Sequence, residues 1–141
     1  MKKRYILLVG IWCIIIFAFA SSRFYNGENT LMYIQILFGL DYNQAEVLNA
    51  FVRKGAHVFI FGTLAVIIYF MLKRRFFFLP LGVTTLFAIA DEYNQSLVPG
   101  RTALVSDVLL DSLAAFLFLV IARRYFADSK GKNLSYDVTK E

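Results

Sequence analysis

Four long apolar runs, flanked by basic residues, decide what this chain can fold into. The first, residues 5–22, is free of charge and follows Lys2-Lys3-Arg4. The second, 55–72, is also charge-free and lies between Arg53-Lys54 and Lys73-Arg74-Arg75. The third begins at Phe76, stays uncharged to Ala90, and continues through Asp91-Glu92-Tyr93-Asn94-Gln95 to Val98. The fourth, 103–122, carries Asp107 and Asp111 and ends at Arg123-Arg124. A helix needs about 20 residues to cross the hydrocarbon core, somewhat fewer where flanking cations snorkel. The expected fold is therefore all-α: a four-helix polytopic membrane bundle, with helices at 5–22, 55–72, 76–98 and 103–122. It forms one membrane domain over 1–126, and a polar cytoplasmic tail follows at 127–141.

Composition closes the alternatives. With 141 residues, 59% of them hydrophobic, and a mean hydropathy of +0.61, a soluble domain could not hide its apolar surface. Fifteen Phe against two Pro argue against a disordered chain. The single cysteine, Cys13, excludes an intrachain disulfide. A net charge of +5 would suit nucleic acid only if the basic residues formed one patch; here they sit at the ends of apolar runs, so no nucleic-acid partner is expected.

Their distribution instead sets orientation. In a four-span arrangement, Lys2, Lys3, Arg4, Lys73, Arg74, Arg75, Arg123, Arg124, Lys130, Lys132 and Lys140 fall on one side, and only Arg23, Arg53, Lys54 and Arg101 on the other. That asymmetry predicts cytoplasmic N- and C-termini. The first run has a competing reading, because Ala18-Phe19-Ala20 before Ser21 has the form of a signal-peptide cleavage site. Between the first two spans, 31–38 is apolar but too short to cross, and is expected to lie along the outer interface as an amphipathic segment. Asn43-Gln44-Ala45-Glu46 has capping-box spacing, which predicts a helix running from there through Val47, Leu48 and Phe51 into the second span.

The informative residues are those a membrane rejects. An ionised side chain at the bilayer centre costs at least about 2.5–3.5 kcal/mol, so Asp91, Glu92, Asp107 and Asp111 must face partners or water. Helical spacing puts Asp91, Glu92 and Gln95 on one arc, and Asp107 with Asp111 on one face. Arg53 and His57 are also four residues apart, Lys54 precedes His57 by three, and Arg101 occupies the Pro99-Gly100-Arg101 turn. All nine come to the same half of the membrane in this topology. Such a set can bind a charged head group, hold a metal if His57 and two or three carboxylates converge, perform acid–base chemistry, or glue helices together through pairs such as Asp91 or Glu92 with Arg101 or Lys54. No HxxxH or CxxC spacing recommends a metal, so neither metal nor cofactor is expected. Phe76-Phe77-Phe78 and Tyr69-Phe70 read as lipid anchors, and Ala114-Ala115 as a close helix contact.

These motifs, in this order, resemble the VanZ-like family of bacterial membrane proteins, named for a teicoplanin-resistance protein. Lys54-Gly55-Ala56-His57 is similar to the family's K-x-x-H, Asp91-Glu92-Tyr93-Asn94-Gln95 to its D-E-x-x-Q, Pro99-Gly100-Arg101 to the turn that follows, and Asp107 to its Asp six residues after the Arg. The resemblance covers 51–124. It departs where the family's D-x-x-x-N-x-x-G becomes Asp107-Val108-Leu109-Leu110-Asp111-Ser112-Leu113-Ala114, with Asp111 adding an acid and Ala114 replacing a packing glycine. The resemblance implies a cell-envelope role, in some members resistance to lipid-tailed glycopeptides.

Three functions compete. The leading one is binding at the extracytoplasmic face, with Arg53, Lys54 and Arg101 holding phosphate or carboxylate and Asp91, Glu92, Gln95, Asp107 and His57 orienting the site beside Asp111. Its partners are membrane lipids, with a lipoglycopeptide or a lipid-linked cell-wall intermediate as ligand, and a homo-oligomer is allowed. The alternative is a small membrane hydrolase or phosphatase with His57 or Glu92 as catalytic base; lacking a Ser or Cys elbow, it would use water as nucleophile. A transporter comes last, because four short spans without an inverted repeat suit alternating access poorly.

Overall fold

The computed structural model describes residues 2–21, 27–98 and 103–138. It contains five helices and, among the described residues, no strand: α1 (Lys2–Ser21), α2 (Gly27–Phe38), α3 (Tyr42–Met71), α4 (Phe78–Ser96) and α5 (Val105–Val138). The all-α expectation holds, but the expectation of four helices apolar enough to span does not. By length and composition, only α3 and α5 pass among the described residues. α4 spends its end on Asp91 to Ser96, which shortens its apolar stretch.

The span expected at 55–72 is the second part of a longer helix, and α5 stays helical past residue 122 as far as Val138, within the stretch expected as a tail. The start of α3 also corrects the expected cap. Gly39, in the left-handed region at φ 63°, ends α2, and Asp41 then caps α3: its Oδ1 accepts from Gln44 N at 2.9 Å, and Gln44 Oε1 accepts from Asp41 N at 3.4 Å. Asn43 and Glu46 are not the pair that forms the box. Because α2 ends only a few residues earlier, its helix folds back against α3.

α3 is the hub and packs against α1, α2, α4 and α5. Its buried positions Phe61, Leu64, Ala65, Ile68 and Tyr69 follow helical spacing and divide between two cores. Phe61, Leu64 and Ile68 meet Ile16 of α1 and Ala88 of α4, whereas Ala65 and Tyr69 meet Ala115, Leu119 and Ala122 of α5. α1 is tied in further by Trp12, whose Nε1 donates to Ile60 O at 3.0 Å. Ala114 and Ala115 lie buried at the α5 seam, as their small size predicts. Tyr69, expected as a lipid anchor, is instead a core residue at 5% exposure. Of the Phe76–Phe78 group, Phe76 and Phe78 face outward while Phe77 packs edge-on against Phe116 and beneath Arg123.

The surface is apolar and part of the interior is polar. Phe59, Leu86, Leu109, Leu113 and Ile121 point outward, while Asn49, Thr84, Asp91, Glu92, Gln95 and Asp111 are buried. A protein dissolved in lipid tolerates that outer surface and must satisfy its polar groups from within.

Candidate functional site

The buried polar side chains concentrate at one end of α3, α4 and α5. Residues 54 and 57 lie near the midpoint of the long α3, Asp91, Glu92 and Gln95 at the end of α4, and Asp107 and Asp111 at the start of α5. α3 and α5 run the same way here, so their side chains meet rung by rung. Lys54 Nζ lies 3.5 Å from Asp107 Oδ1, and three residues on His57 Nδ1 lies 3.1 Å from Asp111 Oδ2. The first rung is open, with Lys54 56% exposed; in the second, Asp111 is fully buried. Phe61, one turn below, stacks on the imidazole at 5.9 Å between ring centres and fixes its plane.

α4 completes the site from the other side. Asp91, Glu92 and Gln95 are all buried, as the shared arc predicts, and Gln95 Nε2 donates to Asp91 Oδ2 at 2.7 Å. Glu92 Oε2 accepts from Leu104 N at 2.9 Å, just before the first turn of α5, where a carboxylate is favoured by the free N–H groups and the helix dipole. One function of Glu92 is therefore architectural: it ties the end of α4 to the beginning of α5. His57, Asp91 and Glu92 each present a potential ligand atom within 4.8 Å of the others.

What these groups lack is as informative. Asp91 Oδ1, Glu92 Oε1 and Asp111 Oδ1 are buried and have no hydrogen-bond partner among the described residues. No Lys or Arg among the described residues forms an ion pair with any of them; the two ion pairs found are Lys54–Asp107 and His57–Asp111. Of the helix-gluing pairs the sequence allowed, Lys54 with Asp91 or Glu92 does not form; Lys54 meets Asp107. Arg53 is half-buried and joins no hydrogen bond or ion pair of the cluster, and Arg101 with its Pro99-Gly100 turn lies outside the described residues. A buried carboxylate oxygen without a donor costs roughly 1–3 kcal/mol or more, a penalty that a bound ligand can relieve.

Sequence reasoning missed one neighbour. Thr84 is fully buried on α4, and its Oγ1 has no partner among the described residues. The signal was there: Thr84 is seven residues before Asp91, so it lies two turns down the same face. Above it, Thr85 Oγ1 donates to Ser112 Oγ at 3.1 Å and Ser112 Oγ to Val108 O at 2.8 Å, a polar seam between α4 and α5.

Helices suited to lipid, with a histidine–carboxylate cluster buried among them, define a small helical membrane protein with an internal polar site. A family model described as VanZ/LLP1 matches residues 5–126, and the chain belongs to that family. The match reaches well before the motifs at 51–124 and takes in α1. No curated protein and no solved structure matches the chain.

Proposed function

We propose that this chain is a multi-pass protein of the bacterial cytoplasmic membrane, with both termini inside, and binds an amphiphile's head group at its extracytoplasmic end. α1 belongs to that bundle in this reading, supported by its packing through Ile16 and Trp12. The observation that carries the binding role is the set of unpartnered oxygens on Asp91, Glu92 and Asp111 beneath the exposed Lys54 rim. Buried acceptors call for donors such as hydroxyl, amide or ammonium groups, while Lys54, with Arg53 and Arg101, suits phosphate or carboxylate. A lipoglycopeptide, a lipid-linked cell-wall intermediate and a phospholipid head group all combine an anion with such donors. Binding at this level would contribute to teicoplanin-type resistance or to envelope homeostasis.

The test compares wild type with Glu92→Gln, at matched membrane levels in a susceptible Gram-positive host, by teicoplanin inhibitory concentration. The substitution preserves volume and the acceptor for Leu104 N while removing the charge. Protection by wild type and its loss in the variant are expected. Equal protection by both would assign Glu92 to architecture alone, and no protection by either would end the drug-resistance reading. Ligand retention by a Lys54→Ala, Arg101→Ala double variant would count against the cationic rim.

One observation favours a second reading, a water-using membrane hydrolase or phosphatase. The His57–Asp111 pair has the form of a base held by a buried carboxylate, with Glu92 nearby. Turnover of a labelled lipid pyrophosphate, abolished in His57→Gln, is its expected signature.

A further inference from the structure

The head-group reading explains the rim of the site better than its floor. Three carboxylates and one imidazole converge among α3, α4 and α5, and no guanidinium or ammonium pairs with Asp91, Glu92 or Asp111 among the described residues. Their exposures are 3%, 5% and 0%, so bulk water does not stabilise their charge. A buried group of this kind requires a counter-charge, and the eight polar atoms involved leave three oxygens and one ring nitrogen uncommitted.

From this geometry we infer that His57, Asp91 and Glu92 form a binding site for one first-row divalent cation, with Asp111 positioning the imidazole. His57 Nδ1 is engaged by Asp111 Oδ2, which leaves Nε2 as the metal-facing nitrogen. A carboxylate on the far ring nitrogen fixes the tautomer and raises the basicity of the ligating one, the arrangement found behind many metal-bound histidines. Asp91 Oδ1 and Glu92 Oε1, the oxygens without partners, complete the set, while Gln95 and Leu104 N hold the other oxygen of each carboxylate in place. Donors around one such ion bind at about 2.0–2.2 Å and so lie within about 4.4 Å of one another, close to the 4.8 Å limit found here; small side-chain movements close the set. One nitrogen and two carboxylate oxygens suit Zn2+ or Mn2+ better than an all-oxygen cation such as Ca2+. Three protein donors leave the coordination incomplete, so a position stays open for water or a ligand atom. The inference stands on this geometry and holds whether or not the head-group reading does.

The chain has a single histidine, which makes the test direct. Full-length protein carrying no added histidines is labelled with 15N-histidine, purified in detergent without lipid ligand, and titrated with ZnCl2. Saturation at one Zn2+ per chain is expected, with a large shift of Nε2 and with Nδ1 remaining an N–H. Asp91→Asn and Glu92→Gln are expected to weaken Zn2+ binding at least about tenfold, and Asp111→Asn about 10- to 100-fold. Unmoved imidazole signals at saturating Zn2+ would overturn the inference, as they would if the Arg101 guanidinium supplies the counter-charge instead. This wild-type readout decides the matter even if a variant fails to fold. Unchanged Zn2+ affinity in folded Asp91→Asn and Glu92→Gln would also overturn it. Neither failure touches the teicoplanin comparison, which uses a different ligand and readout.

Discussion

The packed middle of the bundle and its polar end are made from opposite materials. In the middle, α3 presents Phe61, Leu64, Ala65, Ile68 and Tyr69, and the core residues they cluster with are apolar. At the polar end the same helix presents Lys54 and His57 to acids, and buried oxygens go without partners. Burial in the middle is favourable through close packing, whereas burial at the polar end is unfavourable until something is bound. The difference separates the part of the molecule that keeps it folded from the part whose burial is costly. Substitutions in the middle should therefore lower stability, while those at the exposed rim of the polar end should leave it nearly unchanged.

The largest stability effect is expected at Gly62. A Cβ built there would lie 2.6 Å from Phe118 Cγ, with both Cδ atoms at 2.7 Å, so α3 and α5 approach through this one missing methyl. Gly62→Val should lower resistance to SDS unfolding by about 2 kcal/mol or more, the range for overpacked sites. Phe118→Leu in the same chain should restore part of that loss. Gly82, in α4, is the control: nothing lies within 4 Å of its Cβ position, so Gly82→Ala should raise stability by about 0.5–1 kcal/mol through helix propensity. If both substitutions moved stability in the same direction, the close α3–α5 approach would be wrong.

A smaller effect tests whether α1 belongs to the packed middle. Trp12 is the one residue of α1 with a side-chain hydrogen bond to another helix among the described residues, through Nε1 to Ile60 O. Trp12→Phe keeps most of the ring and removes that donor, and should cost about 1 kcal/mol in the same unfolding measurement. N-terminal sequencing of the mature protein should find α1 retained; a start after residue 20 would restore the signal-peptide reading.

How much of this was legible in the sequence depends on which geometric quantity was needed. Spacing along one helix was legible, because the 3.6-residue period alone puts Asp91, Glu92 and Gln95 on one buried arc. Position between helices was not. The sequence placed Lys54 and His57 on the right face, yet which acid each one meets depends on the relative rotation and height of α3 and α5. That is why Lys54 meets Asp107, and not Asp91 or Glu92 as one reading of the sequence allowed, while His57 meets Asp111. The cap of α3 failed for a related reason: Asp41–Gln44 and Asn43–Glu46 have the same spacing, and the choice rests on Gly39 ending α2 where it does. Tyr69 was misread because a tyrosine near a run of cations looks interfacial until packing turns it toward α5. The metal-ligand set had no motif to announce it, because its three members come from α3 and α4 and converge only in the fold.

The smallest expected effect is the one that separates the two rungs most cleanly. Lys54–Asp107 spans 3.5 Å with side chains 56% and 23% exposed, so water and salt compete for both charges. A double-mutant cycle with Lys54→Met and Asp107→Asn should give a coupling below about 1 kcal/mol, and it should shrink as salt is raised from 50 mM to 1 M. His57–Asp111, at 3.1 Å with the carboxylate fully buried, is shielded from that screening. The cycle with His57→Gln and Asp111→Asn should therefore give the larger coupling and keep it at high salt, because breaking one member strands a buried polar group. The sign of the single variants matters as much as the coupling. Lys54→Met should leave stability nearly unchanged, since the pair contributes little and the methionine gains apolar contact. A strong, salt-insensitive coupling at Lys54–Asp107 would mean that the rim is closed rather than open, and the contrast between a ligand-facing edge and a shielded floor would disappear.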